Sequence, residues 1–170
     1  IIVSRDIMLA DVTNTNIHIA HASTKRTVDL IRHAKKQGIK VTAEATPHHL
    51  ILTEKACENY DTNTKMKPPL RTKEDRQALI NGLLDDTIDI IATDHAPHSD
   101  YEKELEFVKA PFGVIGFESA FPALYTNFVK TKIIDLEKLI DKMTSRPAGI
   151  INKDIGKIEE GKPADITVVD

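Results

Sequence analysis

Asp94 makes the strongest chemical claim in this sequence. It closes the apolar run T-I-D-I-I-A-T (residues 87–93) and opens D-H-A-P-H, which brings His95 and His98 beside it. A carboxylate there can hold a divalent cation and collect a proton from cation-bound water, whose pKa the metal lowers towards ~7. The alternative for Asp94 is a loop or helix-capping role. Two further places carry the same chemistry: His21 after the apolar I-H-I-A run, and the doublet His48-His49 after T-A-E-A-T-P. Imidazole and carboxylate are the ligand types of a borderline divalent metal such as zinc. Taken singly, a histidine at a strand end is more often a structural hydrogen-bonder than a ligand. His33, among Arg32, Lys35 and Lys36, reads as part of a solvated helix face. Side chains alternate along a strand, so His18 and His21 point to opposite faces and at most one serves a site. His21, nearer the strand end, is the better candidate. The His48-His49 doublet splits in the same way, one lining a pocket and the other buttressing a neighbouring strand.

Two loop segments lie close to these residues in the sequence. Lys65, Lys67 and Arg71 surround Pro68-Pro69, where regular helix is impossible. These cations suit an anionic substrate, or simply a solvated loop. Ala110-Pro111-Phe112-Gly113 is a second loop, and Gly113, lacking a Cβ, permits close approach of backbone to a ligand. An ordinary surface turn is the alternative there.

The elements that position these groups follow from periodicity and caps. Residues 1–11 carry apolar side chains at helical spacing (Ile2, Val3, Ile7, Met8, Ala10). A strand over 17–20 ends at His21. Ser23 is the expected N-cap of a helix over 24–37, with Val28, Leu30 and Ile31 in its stripe and Gly38 as its stop. A strand over 39–46 ends at Pro47-His48-His49, and a short helix follows over 53–59. Thr72-Lys73-Glu74-Asp75 resembles a capping box and opens a helix to about residue 85. Residues 87–93 form the third strand. Helices are expected over 116–129 and 135–143, and the tail over 156–169 reads as a final strand pair. Strands alternating with helices predict an α/β protein with a parallel sheet. Active sites in such folds lie at the carboxyl ends of the strands, where each predicted strand here carries imidazole or carboxylate.

Composition sets the bounds. The chain has 170 residues, 41% apolar and 29% charged, which suits one ordinary globular domain. No apolar run approaches the ~18 residues of a membrane span, and no signal-peptide pattern is present. A net charge of −3 offers no general attraction for nucleic acid. The single cysteine, Cys57, excludes an internal disulfide or a Cys-based zinc cluster. These features point to the cytoplasm. The sequence opens at Ile1, without methionine and inside an apolar stretch, so a piece of a longer protein is expected. Three strands cannot close an eight-stranded barrel, which takes ~250 residues. The remaining choices are a small open doubly wound sheet or the last part of a barrel.

Taken together, the motifs resemble those of the bacterial dihydroorotases, in the cyclic-amide branch of the amidohydrolase superfamily. The matching strings are H-I-A-H-A-S-T (18–24), T-A-E-A-T-P-H-H-L (42–50), K-M-K-P-P-L-R (65–71), A-T-D-H-A-P-H (92–98), A-P-F-G (110–113) and G-K-P-A-D (161–165). They span nearly the whole chain in the family's order. The resemblance implies the C-terminal part of a (β/α)8 TIM barrel, strands six to eight with their helices over residues 1–154, and a tail over 155–170 belonging to an accessory β-domain. It implies a zinc-dependent hydrolase that interconverts dihydroorotate and N-carbamoyl-L-aspartate in pyrimidine (UMP) biosynthesis. By the same resemblance His21 is a metal ligand, Asp94 a metal ligand and the catalytic acid/base, and Lys67, His98, Phe112 and Gly113 contact substrate. Two zinc ions are implied per complete site, most of their ligands lying upstream of this chain.

The chain departs from the family pattern in two ways. Only His21 and Asp94 of the metal shell have counterparts here, so the chain alone is expected to be inactive. Lys67 also stands where the family usually has asparagine, and an ammonium offers only donors where an amide offers a donor and an acceptor. Other readings stay open: a hydantoinase- or allantoinase-type enzyme, a non-catalytic scaffold partnering aspartate transcarbamoylase, or a self-contained anion- or metal-binding module. An unmatched barrel wall would expose strand edge and apolar surface, so pairing with a second copy as a homodimer is a further expectation.

Overall fold

In the computed structural model, which describes residues 1–169, three short strands form one parallel sheet in the order β1 (Ile17–Ile19), β2 (Val41–Ala45), β3 (Ile90–Ile91). Helices connect them: α1 (Ile2–Thr13) enters β1, α2 (Lys25–Lys36) crosses from β1 to β2, and α3 (Pro47–Ile51) and α4 (Lys73–Leu84) cross from β2 to β3. Four more helices follow: α5 (Asp100–Lys103), α6 (Ala120–Leu124), α7 (Leu136–Met143) and α8 (Ser145–Ile150). Among the described residues no helix is long and apolar enough to cross a membrane. The expected α/β class with parallel strands is the one observed.

Local chemistry explains the main elements. Thr24, in an extended conformation, accepts from the Thr27 N–H and caps α2, whose Val28, Ile31 and Ala34 are buried. The cap is thus Thr24 and not Ser23, which is itself buried. Such a cap contributes about 1 kcal/mol. Thr72 does the same for α4 by accepting from the Asp75 N–H, and α4 buries Leu79, Ile80 and Leu83. Gly82 sits where α4 meets α2: an added Cβ would lie 3.0 Å from Ile88 and 3.1 Å from Val28.

Register divides the sheet into two faces. Ile17 aligns with Val41, His18 with Thr42, Ile19 with Ala43, and Ala45 with Ile91. Ile19, Val41, Ala43, Ala45 and Ile91 join the core with Val28, Ile31, Leu79 and Leu83. With a period of two, His18, Thr42 and Glu44 share the opposite face.

Several expected boundaries shift for identifiable reasons. Strand β2 begins late because the Ile39 N–H is still bonded to Ala34 O at the end of α2. It ends early because Thr46 caps α3 by accepting from His49 N, with Pro47 at the first position. The His48-His49 doublet is therefore helical and not split across a strand. Strand β3 is short because residues 85–88 turn out of α4, with Thr87 N on Asp85 and Ile88 N on Gly82 O. The helix expected over 116–129 starts at Ala120 and passes into a π-helical turn, Tyr125–Val129. A start at Gly116 would put Pro122, which has no N–H, in the helix interior. In α1 only Ile7 and Ala10 are buried, while Ile2, Met8, Leu9 and Val12 are exposed. The expected strand pair over 156–169 is absent: these residues form turns and irregular chain and are nearly all exposed. A strand forms only where a neighbour takes its backbone groups, and no other described segment pairs with this one.

Candidate active site

The carboxyl ends of β1 and β2 meet at one acidic side chain that motif reading passed over, Glu44. Its Oε1 lies 2.7 Å from His21 Nδ1 and accepts the His21 backbone N–H at 3.3 Å. Its Oε2 lies 3.0 Å from His18 Nε2, and His18 Nδ1 is 2.8 Å from Thr42 Oγ1. The expectation that only one of His18 and His21 reaches the site does not hold. The chain leaves β1 after Ile19, and His21, at φ 50°, turns back so that both imidazoles meet one carboxylate. Asp94 has the same left-handed backbone at φ 51°, a conformation uncommon for residues other than glycine and frequent at functional sites. It brings Asp94 Oδ1 to 3.6 Å from His21 Nε2.

The charges follow from these contacts. Burial opposes ionisation of Glu44, yet hydrogen bonds from His18 and His21 hold its pKa down at about 2. His21 is pushed above its ordinary value, chiefly by its bond to Glu44, against burial and with help from the Asp94 charge. An imidazole between two carboxylates calls for a positive charge, either a proton or a cation.

The doublet on α3 divides its labour. His49 Nε2 donates to Pro68 O at 2.9 Å while Nδ1 lies 2.7 Å from Thr46 Oγ1, so His49 braces the Pro68-Pro69 loop. His48, its ring 4.5 Å from that of His49, keeps a buried Nε2 with no partner among the described residues. Burial first, then the His49 and His21 charges, press its pKa down to about 3.

A second group gathers around the A-P-F-G loop. His98 Nε2 donates to Phe112 O at 2.9 Å. The Gly113 N–H donates to Lys65 O at 2.9 Å, so of the two loop amides Phe112 N–H is the one without an acceptor among the described residues. Gly113 is required here: φ is +123°, and a Cβ would come within 2.5 Å of Ala96 Cβ. The exposed Lys67 has its Nζ 5.9 Å from the Phe112 ring centroid. His95 turns to a different task. Its Nδ1 accepts from the Gly116 and Phe117 amides at 2.9 and 3.2 Å, and its ring stacks on Phe117 at 4.0 Å. His21 and Asp94 are thus brought together in one cluster, and Lys67, His98, Phe112 and Gly113 in another.

His21 and Asp94 fit a shared cation. Two ligands ~2.1 Å from a tetrahedral metal stand ~3.4 Å apart, close to the 3.6 Å between them. The Glu44 contact at Nδ1 leaves His21 Nε2 open towards Asp94, the geometry that a carboxylate–histidine–metal arrangement requires. Two ligands are not a whole site, and among the described residues no group of three or more His, Cys, Asp or Glu side chains is placed to hold a metal.

Comparison with known proteins matches residues 3–170 to the model of the amidohydrolase family. The chain belongs to that family. It is 55% identical over 168 residues to the dihydroorotase of Bacillus cytotoxicus and 54% identical to that of Bacillus pumilus. Each match covers 99% of this chain and 39% of the relative, so the amidohydrolase chain spans well under half of their length. Among solved structures, L-hydantoinase from Arthrobacter aurescens superposes with a TM-score of 0.89 at 28% identity, over 95% of this chain and 37% of that one. D-hydantoinase from Thermus sp. gives 0.88 at 26%, with the same coverage.

Motif reading missed Glu44 and Lys103, and it took Lys65 for a cation facing substrate or solvent, whereas its Nζ is buried against the carbonyls of Val108 and Ala110. The signal for Glu44 is an acid inside the strand T-A-E-A-T, two residues beyond Thr42 and so on the face it shares with His18.

Proposed function

We propose that this chain carries strands six to eight of a (β/α)8 barrel, with residues 155–170 belonging to an accessory β-domain, in a zinc-dependent dihydroorotase of the cytoplasm. Asp170 lies outside the described residues. The observation that carries the reading is the pair His21 Nε2 and Asp94 Oδ1 at 3.6 Å, backed by Glu44. The 55% identity to Bacillus dihydroorotases favours dihydroorotate over hydantoin as the substrate.

In this reading His21 and Asp94 hold zinc, the remaining ligands come from outside these residues, and two ions complete the site. The metal, when bound, polarises the ring carbonyl and acidifies a water. Asp94 accepts the proton of the attacking water and delivers it to the departing ring nitrogen, opening dihydroorotate to N-carbamoyl-L-aspartate. Glu44 fixes the His21 ring through Nδ1. His98, the Phe112 amide and Lys67 supply donors to the substrate's anionic groups.

The test is ring opening by the full-length polypeptide that contains this chain. Dihydroorotate is consumed in preference to hydantoin and allantoin, and Asp94→Asn lowers turnover by about 10²- to 10⁴-fold while product still binds. Near-normal turnover in that variant, or a preference for hydantoin, overturns the assignment.

A further inference from the structure

Two lysines that take no part in the proposed chemistry hold the A-P-F-G loop by its carbonyl oxygens. Lys103 Nζ donates to Thr62 O at 3.1 Å, Pro111 O at 3.2 Å and Gly113 O at 2.5 Å. That uses all the donors of an ammonium group. Lys65, buried, donates to Val108 O at 3.0 Å and Ala110 O at 2.6 Å, with its Nζ 4.6 Å from the Phe112 ring centroid and 5.6 Å from that of Phe107. Neither lysine is ion-paired among the described residues. Burial, with the neighbouring Lys65 charge, pushes Lys103 below its ordinary pKa, and the structure keeps the two cations together all the same.

This pattern sets the direction of the loop's donors. In a trans peptide a carbonyl and the next N–H point opposite ways. With Pro111 O turned onto Lys103, the Phe112 N–H faces away from the ammonium, and it has no protein acceptor among the described residues. Phe112 O in turn receives His98 Nε2–H at 2.9 Å, so the orientation of the loop also fixes the His98 ring.

We propose that Lys103, supported by Lys65, is a positioning residue for substrate binding: it pins residues 107–114 so that the Phe112 amide and the His98 imidazole are presented together to an anionic ligand. The inference rests on the functional reading above for the ligand's identity, and on the lysine–carbonyl geometry for the loop.

The experiment compares wild type, Lys103→Met, Lys103→Arg and Lys65→Met in the full-length polypeptide. It reads amide hydrogen exchange over residues 107–114 and steady-state kinetics with dihydroorotate. Lys103→Met is expected to speed exchange at the Gly113 amide about tenfold or more while the α2 amides stay protected. It raises KM about tenfold with kcat within about threefold, because substrate positioning is lost and the proton-transfer group is kept. Lys103→Arg restores most of both, and Lys65→Met speeds exchange over the same residues, giving a second route if one variant folds poorly. Unchanged exchange with unchanged KM in Lys103→Met overturns the inference, as does a loss confined to kcat. Exchange needs no turnover, so a wild type that leaves dihydroorotate intact counts against the proposed function alone, and the loop result stands separately.

Discussion

The two faces of this small sheet are finished in different ways. On one, Ile19, Val41, Ala43, Ala45 and Ile91 pack against α2 and α4, and Val28 and Ile31 are fully buried. That face closes on apolar area, with partners supplied by nearby chain. On the other, His18, Thr42 and Glu44 gather with His21 and Asp94, and order comes from polar and charged contacts. The sheet residues of the first face are apolar and packed into the core. The second keeps a carboxylate and an imidazole nitrogen facing each other across 3.6 Å, an arrangement that a proton or a cation satisfies.

Substitutions on the two faces should separate stability from metal binding. Ile31→Ala on the helix side is expected to cost about 2–5 kcal/mol in denaturant unfolding of the full-length polypeptide. Its zinc stoichiometry at low temperature should stay normal, and loss of zinc without loss of stability would break the comparison. Glu44→Gln on the other side should weaken zinc affinity by about 10- to 100-fold, read by chelator competition. A smaller effect sharpens the contrast through pH. His48 has a folded pKa of about 3 against an ordinary 6.5, so the unfolded chain binds more protons between these values. Its contribution to stability is present above pH 6.5 and lost as pH falls towards 3. His48→Gln should flatten the acid side of the stability profile in that window, and an unchanged slope would show that His48 does not titrate as a buried neutral group.

The parts most legible in the sequence were those whose signal is local. Apolar spacing and caps located α2 and α4, and the carboxyl ends of the strands located His21 and Asp94. What escaped depends on partners distant in sequence. Strand alternation separates His18 from His21, and that rule fails once the chain leaves β1 and His21 takes a left-handed turn. Glu44 is one acid in an apolar strand, and its role emerges only when β1 is laid beside β2. The Lys65 and Lys103 contacts join segments that sequence spacing does not connect. The tail shows the opposite error: alternating apolar residues suggest strands, yet exposed residues 156–169 find no neighbour to pair with.

The most direct test of the account is anomalous scattering at the zinc edge from crystals of the full-length polypeptide. The expected result is a peak ~2.1 Å from both His21 Nε2 and an Asp94 carboxylate oxygen, with His21 Nδ1 on Glu44. Zinc bound in the protein but away from both side chains would contradict it.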